Sequence, residues 1–223
     1  MDTHTTIKLF IPERKLFFTK TDYVLESIRT AILLGYVPPG TSITERQIRD
    51  ILHVSSSPIR EALNQLEAEG LLTRSPHVGA KVAEIVIGDA KELYSIQALL
   101  QSSALQICAN KLRPEDICEA EKLNSQINDL IRSGDVDVDT IRILNYRFHL
   151  IVCGASVYPW LTRIISALWI RLPRKTIWSV PTEAKAAIRY HNGIIQAIKK
   201  GDPSLAGALM KRHLQRSRSV LYG

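Results

Sequence analysis

The chain has 223 residues, 45% hydrophobic and 23% charged, with a formal net charge of +7 at pH 7. That length suits one large or two small domains with real cores, and without an apolar run of about 18 residues no membrane-spanning helix is expected. The charge excludes little by itself. Residues 1–85 carry ten basic and ten acidic side chains, so the excess lies beyond them, and a nucleic-acid reading must rest on the placement of a few arginines.

Residues 1–20 mix polar and aromatic types and read as an N-terminal arm, without the charged-then-apolar order of a secretory signal. A domain over 21–83 follows. Thr21 or Asp22 caps a first helix running to Leu34, with Val24, Leu25, Ile28 and Ile32 inward and Gly35 as its stop. Tyr36 to Gly40 is a rigid connector. Thr44-Glu45-Arg46-Gln47 is a T-x-x-Q capping box, and Ile48, Ile51 and Leu52 give the short helix behind it one apolar face. His53-Val54-Ser55 is a tight turn. The next helix has Ser56 or Ser57 as N-cap, Pro58 at the first helical position, a buried stripe of Ile59, Ala62, Leu63 and Leu66, and Gly70 as its end.

Two short helices around a tight turn form a helix-turn-helix pattern. Ser56, Ser57, Arg60 and Asn64 lie opposite the apolar stripe near the helix N-terminus, where a recognition helix meets base edges and phosphates. Arg60 has the fork for guanine O6 and N7, and Asn64 has the amide for adenine. Leu71–Arg74 and Ala80–Val82 then read as two strands around a turn over 75–79. That hairpin is a wing, with His77 and Gly79 at its tip beside the minor groove.

A linker over 84–88 leads to 89–223, which reads entirely as helix: Asp89 to about Asn110, Pro114 to Ile131, Asp139 to Gly154, Tyr158 to a break at Pro173, Thr182 to Gly201, and Asp202-Pro203 onward. The expected fold is mostly α, a winged helix-turn-helix followed by an all-α bundle of about six helices. His149, His191 and His213 fall on separate bundle helices, and Asn145 shares a face with His149. Neutral imidazoles from facing helices suit Zn or Ni, although widely spaced histidines are more often capped or surface residues. Cys108, Cys118 and Cys153 have no metal-ligand spacing and read as thiols of a reducing cytoplasm.

Pro39-Gly40, Thr44-Glu45-Arg46, Val54-Ser55, Pro58 to Leu63, Leu66 to Leu71 and Gly79 closely resemble the GntR family of bacterial transcription regulators. Asn145 to His149, Tyr190 to Ile195 and Met210 to Leu214 resemble the three ligand-bearing motifs of the FCD domain, the helical effector domain of its FadR subfamily. The resemblance runs from Tyr23 to Leu214. It implies operator contacts by Arg46, Arg60 and the wing tip, and a divalent metal beneath an effector cavity, with His149, His191 and His213 at the histidine positions.

Three departures stand out. Ser56 occupies a position where Arg is usual, Asn145 one where Asp is usual, and Gln97 and Gln101 follow Leu93-Tyr94 where Arg and Glu are usual. Asn carries no charge and is a weaker ligand, and Gln cannot pair bidentately with a carboxylate effector. The expectation is a homodimeric, non-enzymatic regulator of operator DNA. Its bundle takes a small effector, a carboxylate by preference, near a Zn or Ni ion held by Asn145, His149, His191 and His213, with Gln97 and Gln101 in the effector pocket. The alternatives are a dimeric regulator with a vestigial, metal-free pocket, or a metal-dependent hydrolase. No H-E-x-x-H and no nucleophile elbow supports the last.

Overall fold

A helix entering from a loop needs an acceptor for its first amides, and Thr19, Thr44, Asp137 and Asp202 supply one at four helix starts of this chain. The computed structural model describes residues 7–9, 19–33, 35–75, 79–83, 87–134, 137–154, 157–169, 172, 177 and 181–223. Helix α1 (Lys20–Leu33) is capped by Thr19, whose hydroxyl accepts from the Asp22 amide at 3.0 Å, slightly upstream of the expected cap. Helix α2 (Glu45–Leu52) opens with the Thr44–Gln47 capping box, both reciprocal bonds formed, and closes on His53 in the left-handed conformation (φ 53°).

Helix α3 (Ser56–Ala68) starts earlier than the sequence suggests. Ser55 is its N-cap, and Pro58 is the third helical residue rather than the first. Amides of the first turn have no intrahelical partner, so proline is tolerated at either place. At the other end the Leu71 amide reaches the Leu66 carbonyl at 2.9 Å and the Gly70 amide reaches Glu67 at 2.7 Å, with Gly70 at φ 67°. This is a Schellman cap, and the buried Leu66 and Leu71 supply its apolar contact.

Strands β2 (Leu72–Ser75) and β3 (Gly79–Val82) pair antiparallel with Ser75 opposite Gly79. A further strand, β1 (Ser42–Ile43), pairs with β3, giving the order β1-β3-β2. Two residues are too few to show alternation, so no periodicity marks this strand. Val24, Ile28, Ile48, Ile59 and Leu66 form the core of this unit, and Ile7 and Leu9, in the segment expected to be an arm, are buried as well.

The chain divides into two compact units, Met1–Ile85 and Val86–Gly223. The second comprises, among the described residues, helices α4 (Ile87–Cys108), α5 (Pro114–Ser133), α6 (Val138–Val152), α7 (Pro159–Trp169), α8 (Pro181–Lys199) and α9 (Pro203–Tyr222). Several starts differ from expectation. Helix α4 begins at Ile87 rather than Asp89, α6 is capped by Asp137 rather than Asp139, and Thr182 lies inside α8 instead of capping it. Helix α7 ends at Trp169, before Pro173, which lies outside the described residues.

Phe148, Leu105, Leu123, Ile165, Ile194 and Met210 anchor the bundle core, one from each of the six helices α4 to α9. Helices α4 and α9 pack along each other at close range, which brings the Gln97–Gln101 turn of α4 and His213 of α9 into one core. Gly207 permits that approach, since a Cβ there would meet the Ser102 carbonyl oxygen at 2.8 Å and Gln106 Cγ at 3.0 Å. Alanine would favour the helix by about 0.8–1.0 kcal/mol. A backbone carbonyl cannot swing aside, however, and overpacking costs about 1–3 kcal/mol. Gly207→Ala is therefore expected to lower the urea midpoint of the protein, and a raised midpoint would show that the two helices have room to separate.

Candidate metal centre and nucleic-acid interface

The exposed faces of α2 and α3 are knitted together by arginines. Arg60 Nε donates to both carboxylate oxygens of Glu45 at 3.0 Å, and Arg46, its side chain 86% exposed, lies 3.8 Å from Asp50. Exposed pairs of this kind are worth up to about 1 kcal/mol, so a phosphate or base edge can take either guanidinium over. Ser57 and Asn64 are exposed on the same helix as Arg60. Ser56 is half-buried, and its hydroxyl accepts from Arg49 Nη2 at 3.0 Å.

Arg49 was missed in the sequence reading. It stands one helical turn after Glu45 on α2 and places a cation at the start of α3, beside the serine that replaces the expected arginine. The signal was available as a basic residue in the last turn of α2, but only the packing of α2 on α3 shows where it reaches. Gly79 begins β3 opposite Ser75. His77 lies outside the described residues.

In the bundle, α6, α8 and α9 bring His149, His191 and His213 together, with one ligating nitrogen from each lying within 4.8 Å of the others. Their ring centroids are 5.4 Å (149–191), 4.9 Å (191–213) and 5.3 Å (149–213) apart. All three are buried. Burial disfavours the imidazolium, which pushes His149 and His191 well below the usual histidine range and His213 down to about 4. Each ring is thus neutral at pH 7, with a nitrogen lone pair available and no proton to displace. Phe148 stacks on His191 at 4.0 Å and Trp169 tilts against His149 at 4.5 Å, which limits the rotation of both rings.

Asn145 sits one turn before His149 on α6, and its Oδ1 is buried without a hydrogen-bond partner, as is Nε2 of His149. Two such acceptors left bare in a dry core cost about 1–3 kcal/mol each. The donor set fits a divalent metal ion: neutral imidazole nitrogens and an amide oxygen, with buried lone pairs that no protein donor meets.

The opposite edges of the rings are held by amides. His149 Nδ1 lies 2.7 Å from Gln101 Oε1, Gln101 Nε2 donates to Gln97 Oε1 at 2.7 Å, and Gln97 Nε2 donates to the Ile165 carbonyl at 3.0 Å. His191 Nδ1 lies 2.9 Å from Asn124 Oδ1, and Asn124 Nδ2 donates to Asn192 at 2.7 Å. Gln97 and Gln101, the residues expected in the effector pocket, are both fully buried, with the carbonyl of each engaged inside the protein. Asn124 was not anticipated. It lies in the buried stripe of α5 with Ala120, Leu123 and Ile127, and an asparagine amid such a stripe was the signal to follow.

Residues 20–82 match the profile of the gntR family of bacterial regulatory proteins, and residues 92–216 match that of the FCD domain. The chain is 28% identical over 191 residues to the HTH-type transcriptional regulator YdhC of Bacillus subtilis (strain 168), spanning 83% of this chain and 85% of that protein. It is 23% identical over 203 residues to the HTH-type transcriptional regulator McbR of Escherichia coli (strain K12), spanning 89% and 91% of the two chains. The solved structure of E. coli McbR/YncC superposes with a TM-score of 0.81 over 92% of this chain and 98% of that one, at 23% identity, and so shares its fold. A winged helix-turn-helix with exposed arginines, joined to an FCD bundle around three histidines, makes this chain a member of the GntR family, FadR type, and hence a DNA-binding transcription regulator rather than an enzyme.

Proposed function

We propose that this regulator binds a two-fold operator as a homodimer in the cytoplasm, where its DNA target is, and that a small carboxylate bound at a Zn or Ni ion in the bundle modulates this binding. The observation that carries the reading is the pair of bare, buried acceptors, Asn145 Oδ1 and His149 Nε2, beside two further neutral histidines. His149, His191 and His213 would hold the ion and Asn145 would add a neutral oxygen. The ion supplies a Lewis-acidic charge that an anionic ligand can meet. Because every protein ligand is neutral, none of that charge is cancelled by the protein. The effector then shifts the balance between arrangements of the paired DNA-binding domains to the extent that it prefers one of them.

On the DNA side, Arg60, Asn64, Ser56 and Ser57 of α3 enter the major groove. Arg46 and Arg49 of α2 approach the backbone, and the wing segment with His77 and Gly79 lies toward the minor groove. Arg60→Ala is expected to weaken binding to a selected operator by about 1–3 kcal/mol at fixed salt. An unchanged gel-shift titration would remove Arg60 from the interface.

A single helix-turn-helix makes few base contacts, so specificity requires two half-sites and two subunits. Leu99 and Ile107 on α4 and Trp160 and Ile164 on α7 are large exposed apolar residues on two helices that pack together, a surface suited to a second copy of the chain. Light scattering at micromolar concentration is expected to give the dimer mass. A monomer mass with and without operator would defeat the dimer.

For the bundle, elemental analysis of purified protein is expected to find a divalent metal. Asn145→Asp should tighten it by adding a charged oxygen, and His149→Ala with His191→Ala should abolish it. Equal metal affinity in all three proteins would reduce the histidines to core polar residues.

A further inference from the structure

We propose that Gln97 and Gln101 are positioning residues, a one-way hydrogen-bond relay that fixes His149 in its Nδ1–H tautomer so that Nε2 is the ligating atom. The proposal rests on reading the histidine group as a metal site, and it follows from the order of the bonds. The relay starts at the Ile165 carbonyl in α7, an atom that can only accept, so the Gln97 side chain must turn its Nε2 toward it, at 3.0 Å. That leaves Gln97 Oε1 facing Gln101, which must then present Nε2, at 2.7 Å. Gln101 Oε1 is left facing His149 Nδ1 at 2.7 Å.

An amide oxygen cannot donate, so the ring nitrogen must. A neutral imidazole has one N–H, and placing it on Nδ1 leaves the lone pair on Nε2, the atom that has no hydrogen-bond partner inside the protein. The Cys153 thiol donates more weakly to the same Gln101 oxygen at 3.6 Å, so both of its lone pairs are directed.

The sense of the relay is set at its far end. Turning Gln101 alone sets its Oε1 against Gln97 Oε1, two acceptors, and so breaks its bond to Gln97. Turning both glutamines together satisfies every internal bond but sets Gln97 Oε1 against the Ile165 carbonyl. Both glutamines are fully buried, so water cannot absorb the mismatch. The tautomer of His149 is thereby decided by a residue two hydrogen bonds away. Gln97 acts on the imidazole through Gln101, and so determines which nitrogen an ion would meet. Amides do this without adding charge. A carboxylate in place of Gln101 would also hold the proton on Nδ1, but it would cancel part of the charge of the bound ion.

The test is nitrogen NMR of the full-length, metal-free protein with 15N-labelled histidine, His149 being assigned by loss of its signals in His149→Gln. The expected result is a protonated, pyrrole-type Nδ1 and a bare, pyridine-type Nε2 on His149. Gln97→Met removes the anchor and is expected to give a mixture of tautomers, with Ni2+ or Zn2+ affinity lower by about 10–100-fold. Gln101→Glu keeps an acceptor against Nδ1 and is expected to retain the tautomer, which a merely space-filling role would not require. A proton on Nε2 in the wild-type protein overturns the relay even if neither variant folds. A folded Gln97→Met protein with unchanged tautomer and unchanged affinity overturns it too. If the wild-type tautomer is as expected but neither ion binds, the relay stands and the metal reading falls.

Discussion

An imidazole removed from water keeps two nitrogens that must each be satisfied, and this bundle buries three imidazoles against one another. The rest of the bundle core is arranged around that constraint. The described polar side chains buried beside the histidines include Gln97, Gln101, Asn124 and Asn145, all uncharged amides. Two helices, α4 and α5, supply amide oxygens to Nδ1 of His149 and His191, while Phe148 and Trp169 close over the rings from the sides. A core of this kind is rigid because every member constrains the orientation of the next. It is also neutral, since burial holds the histidines deprotonated.

The DNA-binding unit works on different physics. Arg46 and Arg60 are exposed, each close to a carboxylate of α2, and residues 1–85 carry no net charge. Bulk attraction of this unit to phosphate is accordingly small, and the DNA contacts proposed for it rest on a few guanidiniums. Arg60 Nε is shared between the two oxygens of Glu45, and Arg49 donates to Ser56, so both cations are oriented by the protein itself. Orientation of this sort favours selectivity over general affinity for nucleic acid.

The departures of this chain from its family's pattern are coherent once the packing is known. Gln97, Gln101 and Asn145 each replace a charged residue, and all three lie within the same buried neighbourhood. Replacing one charge there would leave its former partner uncompensated in a dry core. With uncharged amides, Gln97 and Gln101 satisfy each other and Nδ1 of His149, while Asn145 Oδ1 and His149 Nε2 stay bare. The outcome is a buried group of neutral donors.

The sequence by itself determined the local elements and the types of residue at both sites. The Thr44–Gln47 box, the Schellman glycine after α3, the helical period of the bundle and the three histidine-bearing motifs all depend on neighbours within a few residues, and a sequence records those directly. Helix starts slipped by one to three residues because several short polar side chains compete for each cap, and β1 was too short to show a period. Only the tertiary structure decided what each polar residue faces. Gln101 lies 48 residues from His149 and Asn124 lies 67 from His191, and no spacing rule connects residues on helices whose packing is unknown. Whether a glutamine meets a ligand or a histidine depends on which way the helix carrying it is turned in the core, and that is settled by the shape of every helix around it.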